Sequence, residues 1–233
     1  MKHAFAVVVN IEHPVLRYRE LLSRSWERSR AAGLTEGGGP AGHAMAATVD
    51  TIPALEAIGR PVMEALAGQI AGTPTVVVLA DAGGLILATC GDEGFAAIAA
   101  PVGVQPGANW AESVCGTNAI GTCLVEASAL EVSGTDHFLE QLAFLAGVAV
   151  PIFVPGPWGD VAGVLALFGP AHFPRTHALA MVEMHAGFIE ERLRAMQPPG
   201  GVELLLHPVE ELLGSPLCGW LRFSEDGRLL GRN

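Results

Sequence analysis

Gly116-Thr-Asn-Ala-Ile-Gly-Thr122 has the GxxxxG outline of a phosphate-cradling loop. Thr122 stands where the phosphate-contacting lysine belongs, so the charge a nucleotide site needs is missing. The structural reading is a glycine-rich entry into a helix whose free N–H groups can face a small polar ligand. Cys115 and His137 have the residue types of a thiolate and its general base. Among apolar neighbours, a buried and inert Cys115 is the competing reading, and Cys123 reads as core. His172, His177 and His185 lack the i, i+4 spacing of a helical metal pair, and no CxxC occurs. Trp110, Trp158 and Phe168 can wall a ligand pocket or simply fill the core. No metal and no cofactor is expected.

The chain around these residues is long enough to bury a core. It has 233 residues, 50% of them hydrophobic and 16% charged. With Lys+Arg 13 and Asp+Glu 24, the net charge is 13 − 24 = −11. Such a surface repels phosphate backbones, which argues against direct nucleic-acid binding and against a basic membrane-surface protein. Four cysteines do not make a disulfide scaffold. The N-terminal MKHAFAVVVNIEHPV has no usual signal-peptide cleavage site. The apolar run from Gln141 to Gly159 contains Pro151, Pro155, Gly156 and Pro157, which break a spanning helix. A soluble, cytoplasmic protein is the expectation.

Spacing predicts the elements that position the candidate residues. Leu16, Arg19, Leu22 and Trp26 give a helix over Pro14–Ala32, followed by a glycine-rich loop, Thr35–His43. Ile52, Leu55, Ile58, Val62 and Leu66 give a second helix, with Pro61 as a kink or a restart. Thr75–Ala80 and Leu85–Cys90 flank a DAGG turn and read as a hairpin. Short helices fit Glu93–Ala100 and Asn118–Ala127, and Leu130–Gly134 fits a strand. Thr135 or Asp136 can cap a helix over His137–Ala146. Val148–Val154 and Val161–Phe168 read as apolar strands, and Thr176–Met196 as a long helix. Val182, Ala186, Ile189, Leu193 and Met196 repeat on that helix as two heptads, which suggests pairing with a second copy. Gln197–Gly201 reads as a linker, and Phe223–Gly231 echoes the earlier hairpin. The class is α+β, an antiparallel sheet flanked by helices.

Several segments together carry a resemblance. Pro106-Gly-Ala-Asn-Trp-Ala-Glu112, Gly116-Thr-Asn-Ala-Ile-Gly-Thr-Cys-Leu124 and Asp136-His-Phe138 resemble the GAF sensor domain of sigma-54-dependent transcriptional activators of the acetoin-catabolism regulator type. The dihydroxyacetone-operon regulator is similar. Ser25-Trp-Glu-Arg28 with Gly33-Leu34 resembles the leading SWxRC…GL segment, with Ser29 at the cysteine position. Val78–Leu87, Val150-Pro-Ile152, Gly163-Val-Leu165 and Phe188-Ile-Glu190 resemble further family segments. Leu204–Asn233 resembles the entry into a following PAS-like domain. Gly147-Val-Ala-Val replaces a cysteine-containing family segment, which speaks against redox or iron chemistry there.

The resemblance implies a helical lead and glycine-rich loop over 1–47, a GAF sensor over 48–197, and a linker with a truncated PAS-like start over 198–233. It implies a small-molecule effector and downstream ATPase and DNA-binding domains outside this chain, while the homodimer expectation rests on the two heptads of Thr176–Met196. By the same resemblance, Asn109–Thr122 walls the pocket and Val150–Phe168 floors it. The expected ligand-binding set is Trp110, Glu112, Thr117, Asn118, Thr122, His137, Trp158 and Phe168. Helix capping and loop bracing compete for Thr117 and Asn118. Two other classes compete for the whole chain. One is a protein-docking GAF module without a ligand. The other is a free methionine sulfoxide reductase using Cys90, Cys115 and Cys123, and a metal sensor is a further variant.

Overall fold

The computed structural model describes residues 14–38, 53–154, 156–157, 159–172, 177–196, 201–215 and 218–232. Trp158 and the predicted boundary residue Thr176 lie outside them. So do most of the predicted loop 35–43 and most of the linker 197–201.

Helix α1 spans Pro14–Ala31, with proline at the first helical position, where no N–H is needed. Its inward stripe is Leu21, Ser25 and Ser29 at i, i+4 spacing, with Leu22 and Trp26 partly buried beside it. Helix α2, Pro53–Gln69, runs through Pro61 without a break. Pro61 is exposed, so the carbonyl it leaves unbonded can be hydrated. Leu55, Val62, Met63 and Leu66 form its buried face.

Strands β1 (Val76–Asp81) and β2 (Ile86–Gly91) form the expected hairpin. Asp81 sets its turn, the carboxylate accepting from the N–H groups of Gly83 and Leu85. Then follow α3 (Glu93–Ala99), α4 (Glu112–Cys115), α5 (Ala119–Glu126) and β3 (Leu130–Ser133). β4 (Leu145–Phe153), β5 (Val161–Pro170) and α6 (Ala178–Ala195) complete the main body. The sheet order is β2-β1-β5-β4-β3, antiparallel throughout, as the α+β reading expects.

Alternation sorts the sheet's two faces. Val76, Val78, Ala80, Val164, Ala166 and Phe168 join the core that contains residues of α3, α4 and α5 and one residue of α1. Val77, Leu79, Leu165 and Leu167 join a second core with α2 and α6. The central strands are buried on both faces, which explains their continuous apolar runs.

The helix expected over His137–Ala146 does not form. One short 3₁₀ turn, Gly134–Asp136, precedes the segment, a second, Glu140–Leu142, lies within it, and β4 begins at Leu145. The ladder with β3 pairs Ser133 with Ala146 and Val132 with Gly147, so these residues are extended. The cap expected from Thr135 or Asp136 therefore has no helix to cap. Phe138, Leu139 and Leu142 still face the core, which is why their spacing imitates a helix.

The heptad pattern of α6 also has an internal destination. Val182, Ala186 and Ile189 are buried against this domain's own core, Leu193 is partly buried there, and Met196 is 64% exposed. The face read as a dimer seam is thus largely occupied within one chain.

Beyond α6, β6 (Val202–Leu206), β7 (Gly219–Phe223) and β8 (Leu229–Arg232) form a separate antiparallel sheet in the order β6-β7-β8. The turn predicted by the hairpin echo joins β7 to β8. Arg194 of α6 pairs with Glu203 at 2.9 Å and lies over the Trp220 ring. The Arg232 N–H donates to the Gly156 carbonyl.

Candidate functional site

Trp110 and Phe168 meet in the core, one from the loop and one from β5. Their ring centroids are 5.1 Å apart at 58°, and both side chains are fully buried. Trp110 Nε1 donates to the Gly103 carbonyl at 2.7 Å, so the indole's polar end is satisfied inside the protein.

Asn118 holds the loop together. Its Oδ1 accepts from Gly121 N at 2.7 Å and caps α5. Its Nδ2 donates to the carbonyls of Trp110 and Gly116, at 3.0 and 2.8 Å. The Gly121 N–H at the mouth of the glycine-rich segment is therefore already engaged. A Cβ on Gly121 would lie 2.5 Å from Glu112 N and from Trp110 O, so the close approach of α5 to the loop requires glycine.

Glu112, Thr117 and Thr122 converge on α1. Ser25 Oγ donates to Glu112 Oε2 at 2.6 Å, since a carboxylate only accepts. The same oxygen lies 2.7 Å from Thr117 Oγ1 and 3.1 Å from Thr122 Oγ1. With its own proton on Glu112, Ser25 accepts from these two threonines. Ser29 Oγ donates to the Ser25 carbonyl at 2.8 Å. Arg28 closes the network, with Nε 2.5 Å from Glu112 Oε1 and Nη2 3.0 Å from Oε2. Arg28 Nη1 also pairs with Glu126 at 2.9 Å, as does Arg24 Nη2. Hydrogen bonding to Glu112 holds the Arg28 guanidinium more firmly charged than usual. Beside this pair, a groove of about 300 Å³ runs along Arg28, Ala82, Ala111, Glu112, Gly121 and Leu124.

The sequence reading placed Glu112, Thr117 and Thr122 at the site but missed Ser25, Arg28 and Ser29 as their partners. Hydrophobic periodicity passes over serines, even at the most buried positions of a helix. The signal that was available is the SWER…GL segment itself.

His137 is different. It is 3% exposed, and its Nδ1 lies 3.0 Å from the Gly134 carbonyl. Its Nε2 is buried with no hydrogen-bond partner. Burial pushes its pKa down to about 4. The loop carrying it is tied to the glycine-rich segment, because Phe138 N donates to the Thr117 carbonyl. A Cβ on Gly116 would meet the Phe138 ring at under 3 Å, and Gly116 has φ +64°.

The imagined thiolate–base pair is not formed. Cys115 Sγ donates to the Asn109 carbonyl at 3.1 Å, and His137 Nε2 faces no partner. Burial raises the Cys123 thiol far above its ordinary pKa, and burial also raises that of Cys90. Burial thus works against the thiolate form at Cys90 and Cys123, the form that reductase chemistry uses. His185 Nδ1 bonds to the Met181 carbonyl, and His177 begins α6 in the left-handed region. Among the described residues no group of three or more His, Cys, Asp or Glu could hold a metal ion. No helix among them is long and apolar enough to cross a membrane.

Residues 54–193, from α2 to the end of α6, match the GAF domain family. The chain belongs to the GAF domain family. The acetoin catabolism regulatory protein of Cupriavidus necator is 34% identical over 180 residues, covering 76% of this chain and 27% of that protein. The propane 2-monooxygenase operon transcriptional activator MimR of Mycolicibacterium smegmatis is 30% identical, covering 63% of this chain and 25% of that protein. This GAF chain thus spans about a quarter of the length of these curated relatives. Their names are those of transcriptional regulators, not enzymes. Among solved structures, the E. coli DhaR(N)–DhaL complex contains a chain of the same fold. Its TM-score is 0.68 at 22% identity, covering 75% of this chain and 60% of that one. Helix α1, with Ser25, Arg28 and Ser29, lies outside the matched GAF segment yet is bonded to its loop.

Proposed function

We propose that this chain is the effector-sensing region of a sigma-54-dependent transcriptional activator. It binds a small, neutral, mostly apolar molecule between the sheet's Phe168 face and the α4–α5 loop. The observation that supports this most directly is the buried, unpartnered Nε2 of His137. A polar atom so placed calls for a water or a ligand. Trp110 and Phe168 supply apolar wall, while Glu112, Thr117, Asn118 and Thr122 shape the site through the contacts that hold the loop to α1. Residues 48–197 are the sensor in this reading, and 198–233 pass the signal from α6 into a PAS-like domain. The ATPase and DNA-binding domains and a homodimeric assembly belong to the activator as a whole.

The test is a thermal-shift screen of the purified chain against small alcohols, diols, ketones and phenols. A ligand at 100 times its Kd adds about 2.7 kcal/mol of stability, a shift easily read in Tm. Binding that disappears in the Trp110→Ala variant supports the reading.

A second reading is a protein-docking module. One observation favours it: apart from His137, the described polar residues of the expected site already have partners within the chain. A solved chain of this fold is itself in complex with a protein, DhaL. No thermal shift with any compound, together with a stoichiometric protein partner, selects this reading.

A further inference from the structure

We infer that the effector presents a hydrogen-bond donor, a neutral hydroxyl, to Nε2 of His137, so that the site selects alcohols or phenols over isosteric ketones. This rests on the effector-sensing reading above and narrows its chemistry.

The argument begins with Gly134. Its carbonyl lies 3.0 Å from His137 Nδ1 and also accepts from the His137 backbone N–H at 3.2 Å. A carbonyl oxygen has lone pairs and no proton, so Nδ1 carries the hydrogen in that contact. The tautomer is thus set by backbone, within a one-turn 3₁₀ segment, Gly134–Asp136, that Gly134 opens at φ +57°. A left-handed residue of this kind is readily glycine.

The ring is neutral near pH 7, since burial lowers its pKa to about 4 and only partly yields to the Gly134 hydrogen bond and the Asp136 charge. A neutral imidazole with its hydrogen on Nδ1 has a lone pair, not a proton, on Nε2. Asp136, the adjacent acid, has other partners. Its Oδ2 accepts from Tyr18 Oη at 2.8 Å, and its carbonyl accepts from Trp26 Nε1 at 3.0 Å. Nε2 is therefore a buried acceptor with no donor. A hydroxyl completes it. A ketone brings a second acceptor and leaves both lone pairs facing one another. A carboxylate does the same and adds the cost of burying a charge beside a neutral ring.

Matched pairs test this on the intact chain: cyclohexanol with cyclohexanone, 2-butanol with 2-butanone, and phenol with benzene. Thermal shift gives the affinities, and nitrogen NMR of the His137 ring gives the tautomer and its response. The expected result is binding of at least one alcohol or phenol about tenfold tighter than its partner compound, as one net hydrogen bond provides. The unprotonated Nε2 resonance then shifts on binding, and His137→Phe removes the preference. If His137→Phe does not fold, the resonance of the unaltered chain carries the same information. Equal binding of alcohol and ketone, or an Nε2 that carries the proton in the free chain, overturns the inference and leaves the sensing function standing. Binding of none of these compounds or of the wider screen, with Nε2 filled by water alone, overturns both.

Discussion

The Arg28 guanidinium grips the Glu112 carboxylate through two nitrogens, at 2.5 and 3.0 Å, and thereby fastens the first helix to the loop that walls the sheet. Glu112 is 5% exposed and Arg28 is 35% exposed, so the carboxylate depends on this partner while the cation retains some water. Arg28→Met leaves the carboxylate buried and unpaired, with Ser25 as its remaining donor. The expected cost is about 2 kcal/mol, reduced from that of a fully buried pair by the solvent at Arg28. Urea denaturation measures it. Combining Arg28→Met with Glu112→Gln is expected to cost less than the sum of the single changes, as residues in one network do not add.

Opposing pH dependences are built into His137 and Glu190. Glu190 accepts from Phe153 N at 2.8 Å, yet burial lifts its pKa to about 7. A carboxyl with a raised folded-state pKa favours the native state below its unfolded value, and that stability is lost as pH rises through about 7. His137, with its pKa lowered to about 4, supports the native state above its unfolded value and loses that support as pH falls. Glu190→Gln keeps the acceptor and removes the first slope. It is expected to be about 2 kcal/mol more stable than the parent at pH 8 and nearly equal at pH 4.5. His137→Gln is expected to flatten the acid limb between about pH 6.5 and 4. Denaturation at a series of pH values checks both.

Gly121→Ala drives a methyl group against the backbone of Glu112 and Trp110 at 2.5 Å, where nothing flexible can yield. Overpacking of this kind costs about 3 kcal/mol, despite alanine's better helix propensity. Gly68→Ala, with nothing within 4 Å of the added carbon, is the control and is expected to be neutral or stabilising. Thermal melts of the two variants separate them.

Asn118→Ala removes a cap and two donors to buried carbonyls. The expected loss is about 3 kcal/mol, with Asn118→Asp recovering the cap but not the donors. Hydrogen exchange at Gly121 is expected to accelerate in the alanine variant and stay protected in the aspartate variant.

Local pattern alone determined much of this domain. The DAGG turn between β-branched runs gave a hairpin, since Asp81 and the following glycines make that turn with short-range bonds. Apolar spacing gave α2 and α6, and the WxE…GTNAIGT string gave the family. Asn118 as a cap followed from residue type and position. Tertiary structure decided the rest. Leu139 and Leu142 sit at helical spacing, but the β3–β4 ladder next to them demands extended chain, and long-range pairing overrode local propensity. Val182, Ala186 and Ile189 spell a heptad whether they face a second chain or their own sheet; only the packing of α6 showed the latter. Ser25 and Ser29 look like solvent-facing serines until α1 docks, because a buried hydroxyl is recognisable only through its partners. His137 likewise needed the fold, since the distance to Gly134 fixes which nitrogen holds the proton, and that is set by backbone geometry no residue pattern encodes.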